Sequence, residues 1–417
     1  LLIDSVMHKR GFWVGLFLTL QIILAFCWWT PPAEALTENQ QLVMQSWRIV
    51  NNAYVDGSFN HQNWWSIREK AMKQRLESKE ATYTAIAKML ETLDDPFTRF
   101  LRPDQYRSLQ VTTSGELSGV GLQIAIDAET GQLEVVTPIT GSPAATAGIQ
   151  PRDRILMIDG IPTKQITLDD AAARMRGVAG TSVTLTIQHQ GETPQEIDLV
   201  RSRITLNPVY AELRNQPDTI PVGYIRLSQF SANAPVEVAQ AIKRLKQQGA
   251  QAYILDLRNN PGGLLQAGIE IAQYWLDEGT IVYTVNRQGI LGSFEASGVA
   301  LANDPLIVLV NQGTASASEI LAGALQDNGR AKLVGEKTFG KGLIQSLFDL
   351  PDGSGLAVTV AKYETPNHHD INKLGITPDQ LVSIKPITLD QVGTSLDQQY
   401  QQALELLTQP ILAADAS

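Results

Sequence analysis

The chain has 417 residues, 43% hydrophobic and 18% charged, a globular balance that excludes wholesale disorder. Acidic residues outnumber basic ones, 43 to 33, for a net charge of −10, which argues against a nucleic-acid partner read by clustered Lys and Arg. One cysteine and five histidines exclude a disulfide framework and a cysteine-based zinc site, so no metal is expected.

At roughly 150 residues per domain, this length predicts two or three domains. Residues 1–35 read as an address. His8-Lys9-Arg10 is basic, Gly11 to Trp29 is nearly all apolar, and Ala33 and Ala35 fit the small positions of a signal-peptidase site. Cleavage is expected after Ala35. The competing reading is an uncleaved anchor, because the apolar run nearly spans a bilayer. Cys27 lies inside this segment, so the processed chain has no thiol and suits an oxidising compartment outside the cytoplasm.

Residues 36–111 read as helical. Leu42, Val43, Trp47, Ile49 and Val50 recur near helical period, and Trp64 to Leu76 and Tyr83 to Leu93 continue in that style. Asp94-Asp95-Pro96 breaks the pattern. No chemistry is expected here; Trp47, Trp64 and Trp65 are read as packing residues.

Residues 112–201 read as short strands and turns. In Gly119-Val120-Gly121-Leu122 the glycines allow backbone amides to turn inward on a carboxylate. The strand that follows could accept an added peptide strand. Gly141-Ser142-Pro143-Ala144, Ala147-Gly148-Ile149 and Asp153 to Gly160 come next. This region resembles a PDZ domain, with one departure: Arg152 stands where many members have glycine. The resemblance implies that residues 119–122 capture a peptide C-terminus.

Residues 202–387 alternate strands with helices. Val222–Leu227, Ala252–Leu257, Ile281–Val285 and Leu306–Val310 are β-rich. Pro235–Gln247 and Leu264–Leu276 are helical between them. Such alternation predicts an α/β domain with mostly parallel pairing. Pro351-Asp352-Gly353 marks a turn between strands, and residues 388–417 form a C-terminal helical segment.

Two strand–turn–helix units hold the chemistry. One runs Arg258-Asn259-Asn260-Pro261-Gly262-Gly263. The other runs Asn311 to Glu319 and contains Ser316 and Ser318. Sites in open α/β sheets form beyond the C-terminal ends of strands, where free amides and a helix dipole face a developing oxyanion. A serine there is placed to attack a carbonyl. Its base stays open from the residues alone. His61, His189, His368 and His369 are available, and so is Lys341 between Gly340 and Gly342. A lysine base must be neutral, well under its ordinary value of about 10.4, which burial of the ammonium beside apolar groups supplies.

Asn311-Gln312-Gly313-Thr314-Ala315-Ser316-Ala317-Ser318-Glu319-Ile320, followed by Gly335-Glu336-Lys337-Thr338-Phe339-Gly340-Lys341-Gly342, resembles the carboxyl-terminal processing peptidases, or tail-specific proteases. The likeness runs from the helical segment through Leu374 to Asp379. It implies a helical N-terminal region, an inserted PDZ domain and an α/β serine-peptidase core. It puts the nucleophile on Ser316 and the general base on Lys341, with Gln345 orienting the lysine and Glu319 supporting the site. Gly262 and Ala317 fall on the oxyanion amides, Arg176 on a position linked to PDZ gating. The partners implied are protein tails with apolar C-terminal ends, with no cofactor and no nucleic acid, reached where the substrate meets a luminal membrane surface. The motifs are most similar to cyanobacterial and chloroplast members that mature a photosystem II reaction-centre subunit, which implies export to a thylakoid lumen or periplasm. The alternatives are a general quality-control tail protease and a non-catalytic PDZ scaffold.

Overall fold

The computed structural model describes residues 36–127, 130–189, 191–215, 220–383, 387 and 391–415. The expected signal segment, residues 1–35, lies outside them. Among the described residues, no helix is long and apolar enough to cross a membrane.

The N-terminal region packs helices α1 (Glu38–Ala53), α2 (Trp64–Met72) and α3 (Lys79–Glu91) against one another. Thr37 and Gln40 cap α1 reciprocally, each side chain accepting the other's amide. Trp47 and Trp64 are buried and donate their indole N–H groups to each other's carbonyls. Trp65 is more than half exposed, yet its ring packs on Trp47 and under the Arg68 guanidinium. After Asp94, in the left-handed region at φ 52°, the chain makes strand β1 (Arg99–Leu101) and then α4 (Pro103–Ser114). A strand in this stretch was not foreseen. β1 forms because it finds an antiparallel partner far along the chain.

The PDZ-like unit enters and leaves through a two-stranded stalk, β2 (Glu116–Gly119) paired with β9 (Ser202–Thr205). Between them run β3 (Leu122–Ile126), β4 (Leu133–Pro138), α5 (Pro143–Thr146), β5 (Arg154–Ile158), β6 (Ile161–Pro162), α6 (Leu168–Met175), β7 (Ser182–Gln188) and β8 (Gln195–Val200). The sheet order is β3-β4-β5-β7-β8, around buried Val135, Ile155, Ile158, Leu185 and Ile187. Arg152 adopts φ 70°, the left-handed geometry that glycine favours.

The core carries β10 (Val209–Arg214), β11 (Val222–Leu227), α7 (Ala234–Gln247), β12 (Ala252–Asp256), α8 (Leu265–Gln273), β13 (Thr280–Asn286), β14 (Gly289–Glu295), β15 (Leu306–Val310), α9 (Ala317–Asp327), β16 (Lys332–Gly335), β17 (Leu343–Asp349), β18 (Gly355–Glu364), β19 (Gln380–Leu381) and α10 (Gln398–Asp415). One sheet is ordered β10-β11-β12-β15-β16-β19, parallel from β11 onward. Its central strands are buried along their whole length, as both-face coverage requires. Helices α7, α8 and α9 cover one face. Tyr400, Ala403 and Leu404 of α10 cover the other.

One expected member of this sheet is elsewhere. β13, containing Ile281–Val285, pairs antiparallel with β14 and β18 in a second sheet with β1 and β17. The reason is local: Arg287 and Gln288 make a two-residue turn, which supplies an antiparallel partner at once, whereas parallel pairing needs a crossover. Leu350, Leu356 and Val358 of this second sheet region share one apolar cluster with Val43, Trp47 and Ile86. The N-terminal helices are thus seated on the core.

Candidate active site

β15 ends in the Asn311–Ala315 turn, and α9 starts at Ala317, so Ser316 sits at the junction. It adopts φ 58°, ψ −119°, a conformation that L side chains other than glycine seldom hold. The turn is pinned from the neighbouring strand end. Thr314 Oγ1 donates to Leu257 O at 2.9 Å, while Ala315 N and Ser318 Oγ both donate to Asn260 O at 3.0 Å. Ser318 Oγ is thus spent on the loop, while Ser316 Oγ makes no bond to this turn.

Glu319 organises this corner. Its side chain is wholly buried and accepts four hydrogen bonds. Oε2 takes the amides of Ser316 (2.9 Å) and Lys341 (2.8 Å). Oε1 takes the Gly340 amide (2.7 Å) and the Thr338 hydroxyl (2.5 Å). A single carboxylate thus ties the serine turn to the lysine loop.

The two side chains are not bonded to each other. Ser316 Oγ lies 3.1 Å from the Tyr363 hydroxyl. The Lys341 ammonium sits over the Phe97 ring, 4.9 Å from its centroid. Phe97 belongs to the Asp94–Thr98 turn, which Asp95 caps through Phe97 N and Thr98 Oγ1. Burial pushes the Lys341 ammonium below its ordinary value, and the Arg99 charge adds to this, while Asp95 and Glu319 oppose it. Gln345, on β17 opposite Thr359, has its Nε2 buried without a partner, as is Thr359 Oγ1. Among the described residues, Gln345 makes no hydrogen bond to Lys341.

Gly262 and Ala317 come together. Gly262 has φ 93°, and a Cβ there would lie 2.6 Å from Ala315 O and 2.9 Å from Ala317 N. Only glycine fits. The Ala317 amide, at the first position of α9, has no acceptor among the described residues, as a helix N-terminus leaves it. The Gly262 amide donates to Asn260 Oδ1 at 2.9 Å. Asn260, buried, also donates its Nδ2 to Leu227 O, so it fixes both loops.

Gly119, Val120, Gly121 and Leu122 line a cavity of about 440 Å³ together with Met175 of α6 and Val111 of α4. Gly121 has φ 79° and lies so close to Ser142 that a Cβ would meet its Cβ at 2.2 Å. Arg176 stands between this cavity and a second one, of about 670 Å³, between α4 and α6. Its backbone bridges Gly119.

The histidines go elsewhere. His189 binds Asp153 in the PDZ-like unit, and His368 binds Glu364 and stacks on Tyr283. Tyr363, Phe97 and Asn260 were not singled out as site residues. Tyr363 lies in an apolar strand run and Phe97 in a distant region, so neither carries a local sign of its place.

The profile of Peptidase family S41 matches residues 221–382, and that of a PDZ domain matches residues 134–189. The chain belongs to peptidase family S41 and is a carboxyl-terminal-processing protease. It is 62% identical over 411 residues to the carboxyl-terminal-processing protease of Synechocystis sp., covering 98% of this chain and 96% of that one. It is 47% identical to the chloroplastic carboxyl-terminal-processing peptidase 2 of Arabidopsis thaliana, over 84% of this chain and 70% of that one. Among solved structures it is similar to a photosystem II D1 C-terminal processing protease. That match has a TM-score of 0.56 at 40% identity and covers 88% of this chain and 98% of that one.

Proposed function

We propose that the chain cuts protein substrates near their C-termini through an acyl-enzyme, with Ser316 as nucleophile and Lys341 as general base. The observation that carries this reading is the Glu319 carboxylate, which accepts the amides of both residues. Burial first, and the Arg99 charge second, favour the neutral amine.

The neutral amine leaves the Phe97 face and takes the Ser316 proton as Oγ bonds to the scissile carbonyl carbon. The carbonyl oxygen becomes an oxyanion held by the amides of Ala317 and Gly262, the latter shared with Asn260 Oδ1. The C–N bond then breaks, and the leaving amine takes the proton back from the lysine. Water adds to the ester and gives a proton to Lys341. Oγ departs, recovers that proton, and releases the shortened chain as a carboxylic acid. Gln345 positions the amine once it has turned inward.

Residues 119–122 bind the tail's terminal carboxylate, and the neighbouring groove takes an apolar end. Arg176, between the groove and the α4 cavity, senses its occupancy. Likeness to a photosystem II D1 C-terminal processing protease supports the precursor of that subunit as substrate. Export through the cleaved segment 1–35 delivers the enzyme to a thylakoid lumen or periplasm. The test is mass spectrometry of substrate tails with the wild-type and Ser316→Ala chains: only the wild type should shorten them.

A further inference from the structure

Among the described residues, Ser316 Oγ has one hydrogen-bond partner, and it is not a base. It is the phenol of Tyr363. Tyr363 is 3% exposed and belongs to the apolar cluster beneath α9. Its position is doubly fixed. Its amide donates to Gly342 O, next to Lys341, and its main chain is registered with Thr284 of β13. The strand that carries the tyrosine is thus tied to the lysine loop, and its side chain reaches the serine.

The geometry lets either hydroxyl donate, and the deeper burial of the phenol, 3% exposed against 8% for Ser316, favours Tyr363 as the donor. A buried hydroxyl must place its proton on an acceptor or bear the full cost of desolvation. Among the described residues, Ser316 Oγ is the hydrogen-bond partner of the Tyr363 hydroxyl. If the serine donated instead, the phenolic proton would be buried unpaired. Desolvation, aided by the facing charge of Glu319, pushes the phenol up to about 12 against the bond to Ser316, so its proton stays in place.

We infer that Tyr363 is a third catalytic group, whose phenol donates to Ser316 Oγ and so fixes the nucleophile while leaving the serine's own proton for the base. This rests on Ser316 being the nucleophile. The phenol keeps its proton throughout. Its hydrogen bond weakens when Oγ is an ester oxygen. It strengthens when Oγ leaves in deacylation, as negative charge builds on that atom.

The test is Tyr363→Phe, which keeps the ring and removes the donor. The variant should lose roughly 10–100-fold in kcat with KM within about threefold, the pattern of an interaction made at the reacting atom. A serine-directed fluorophosphonate should label it more slowly by a similar factor. The acid limb of its pH profile should not move, because Lys341 sets that limb. Wild-type kcat and labelling rate in Tyr363→Phe would overturn the inference. Should this variant fail to fold, 3,5-difluorotyrosine at position 363 supplies a more acidic phenol of nearly the same shape. The basic limb of kcat should then move to lower pH, since a phenolate cannot donate. An unmoved basic limb would overturn the inference. Ser316→Ala separates the layers. Cleavage retained in Ser316→Ala removes the nucleophile assignment and this inference with it. Cleavage lost there but unchanged in Tyr363→Phe removes only the inference.

Discussion

The amides of Ser316 and Lys341 donate to the same oxygen of Glu319, at 2.9 and 2.8 Å. Two segments that meet nowhere in the sequence are thereby held in fixed register. In Glu319→Gln, one oxygen becomes a donor that faces two donors. The variant should lose roughly 2–4 kcal/mol of stability, read by urea unfolding. It should also lose at least about 10²-fold in kcat under conditions where it remains folded, because the register of nucleophile and base is lost.

As the proposed general base, Lys341 must shed its proton to act, and its folded-state value lies below the ordinary one, from burial first and Arg99 second. Activity therefore rises with pH through that lowered value. Arg99→Gln removes a neighbouring positive charge, so the acid limb of kcat/KM should move to higher pH. The displacement should shrink in high salt, since Arg99 is exposed to screening. The same burial costs stability. With the folded value below the unfolded one, the cost is full well below that folded value and fades as pH rises toward the unfolded value, about 10.4. Lys341→Met should therefore raise Tm at pH 7 by roughly 1–4 °C, read by calorimetry, while abolishing cleavage.

Gly262 occupies a space that no side chain fits, 2.9 Å from Ala317 N by its would-be Cβ and at φ 93°. Gly262→Ala should displace one of the two proposed oxyanion amides. Steady-state kinetics should show a loss of about 10²–10³ in kcat, with a smaller change in KM.

Residues 119–122 line a groove that, under the proposed function, takes a terminal carboxylate. A substrate peptide amidated at its C-terminus should show a KM raised by about tenfold or more over the free acid. In Gly121→Ala, whose Cβ would strike Ser142, the two peptides should be cut equally slowly at low concentration.

The fold was legible where one strand pattern has one solution. Leu306–Val310 is apolar at every position and became a central parallel strand with the expected bounds. Ile281–Val285 looked similar, but a two-residue turn decided its pairing, and that lies in the tertiary partner rather than in the run itself. The glycines and the Ser316 turn could be read because backbone geometry leaves a local mark. Tyr363 and Phe97 could not, since a tyrosine in an apolar strand and a phenylalanine after a proline look alike wherever they pack. The Arg258 guanidinium was equally hidden. It bridges Asp256 and Asp397 in a buried cluster that ties the β12 end to the start of α10, and its second partner lies far along the chain.

The most direct measurement is a cleavage assay of purified chain on a peptide with a free, apolar C-terminus, comparing wild type with Ser316→Ala and Lys341→Ala across pH. The account predicts one new C-terminus from the wild type, with activity rising through the lowered lysine value, and none from either variant. Undiminished cleavage by Lys341→Ala would contradict it.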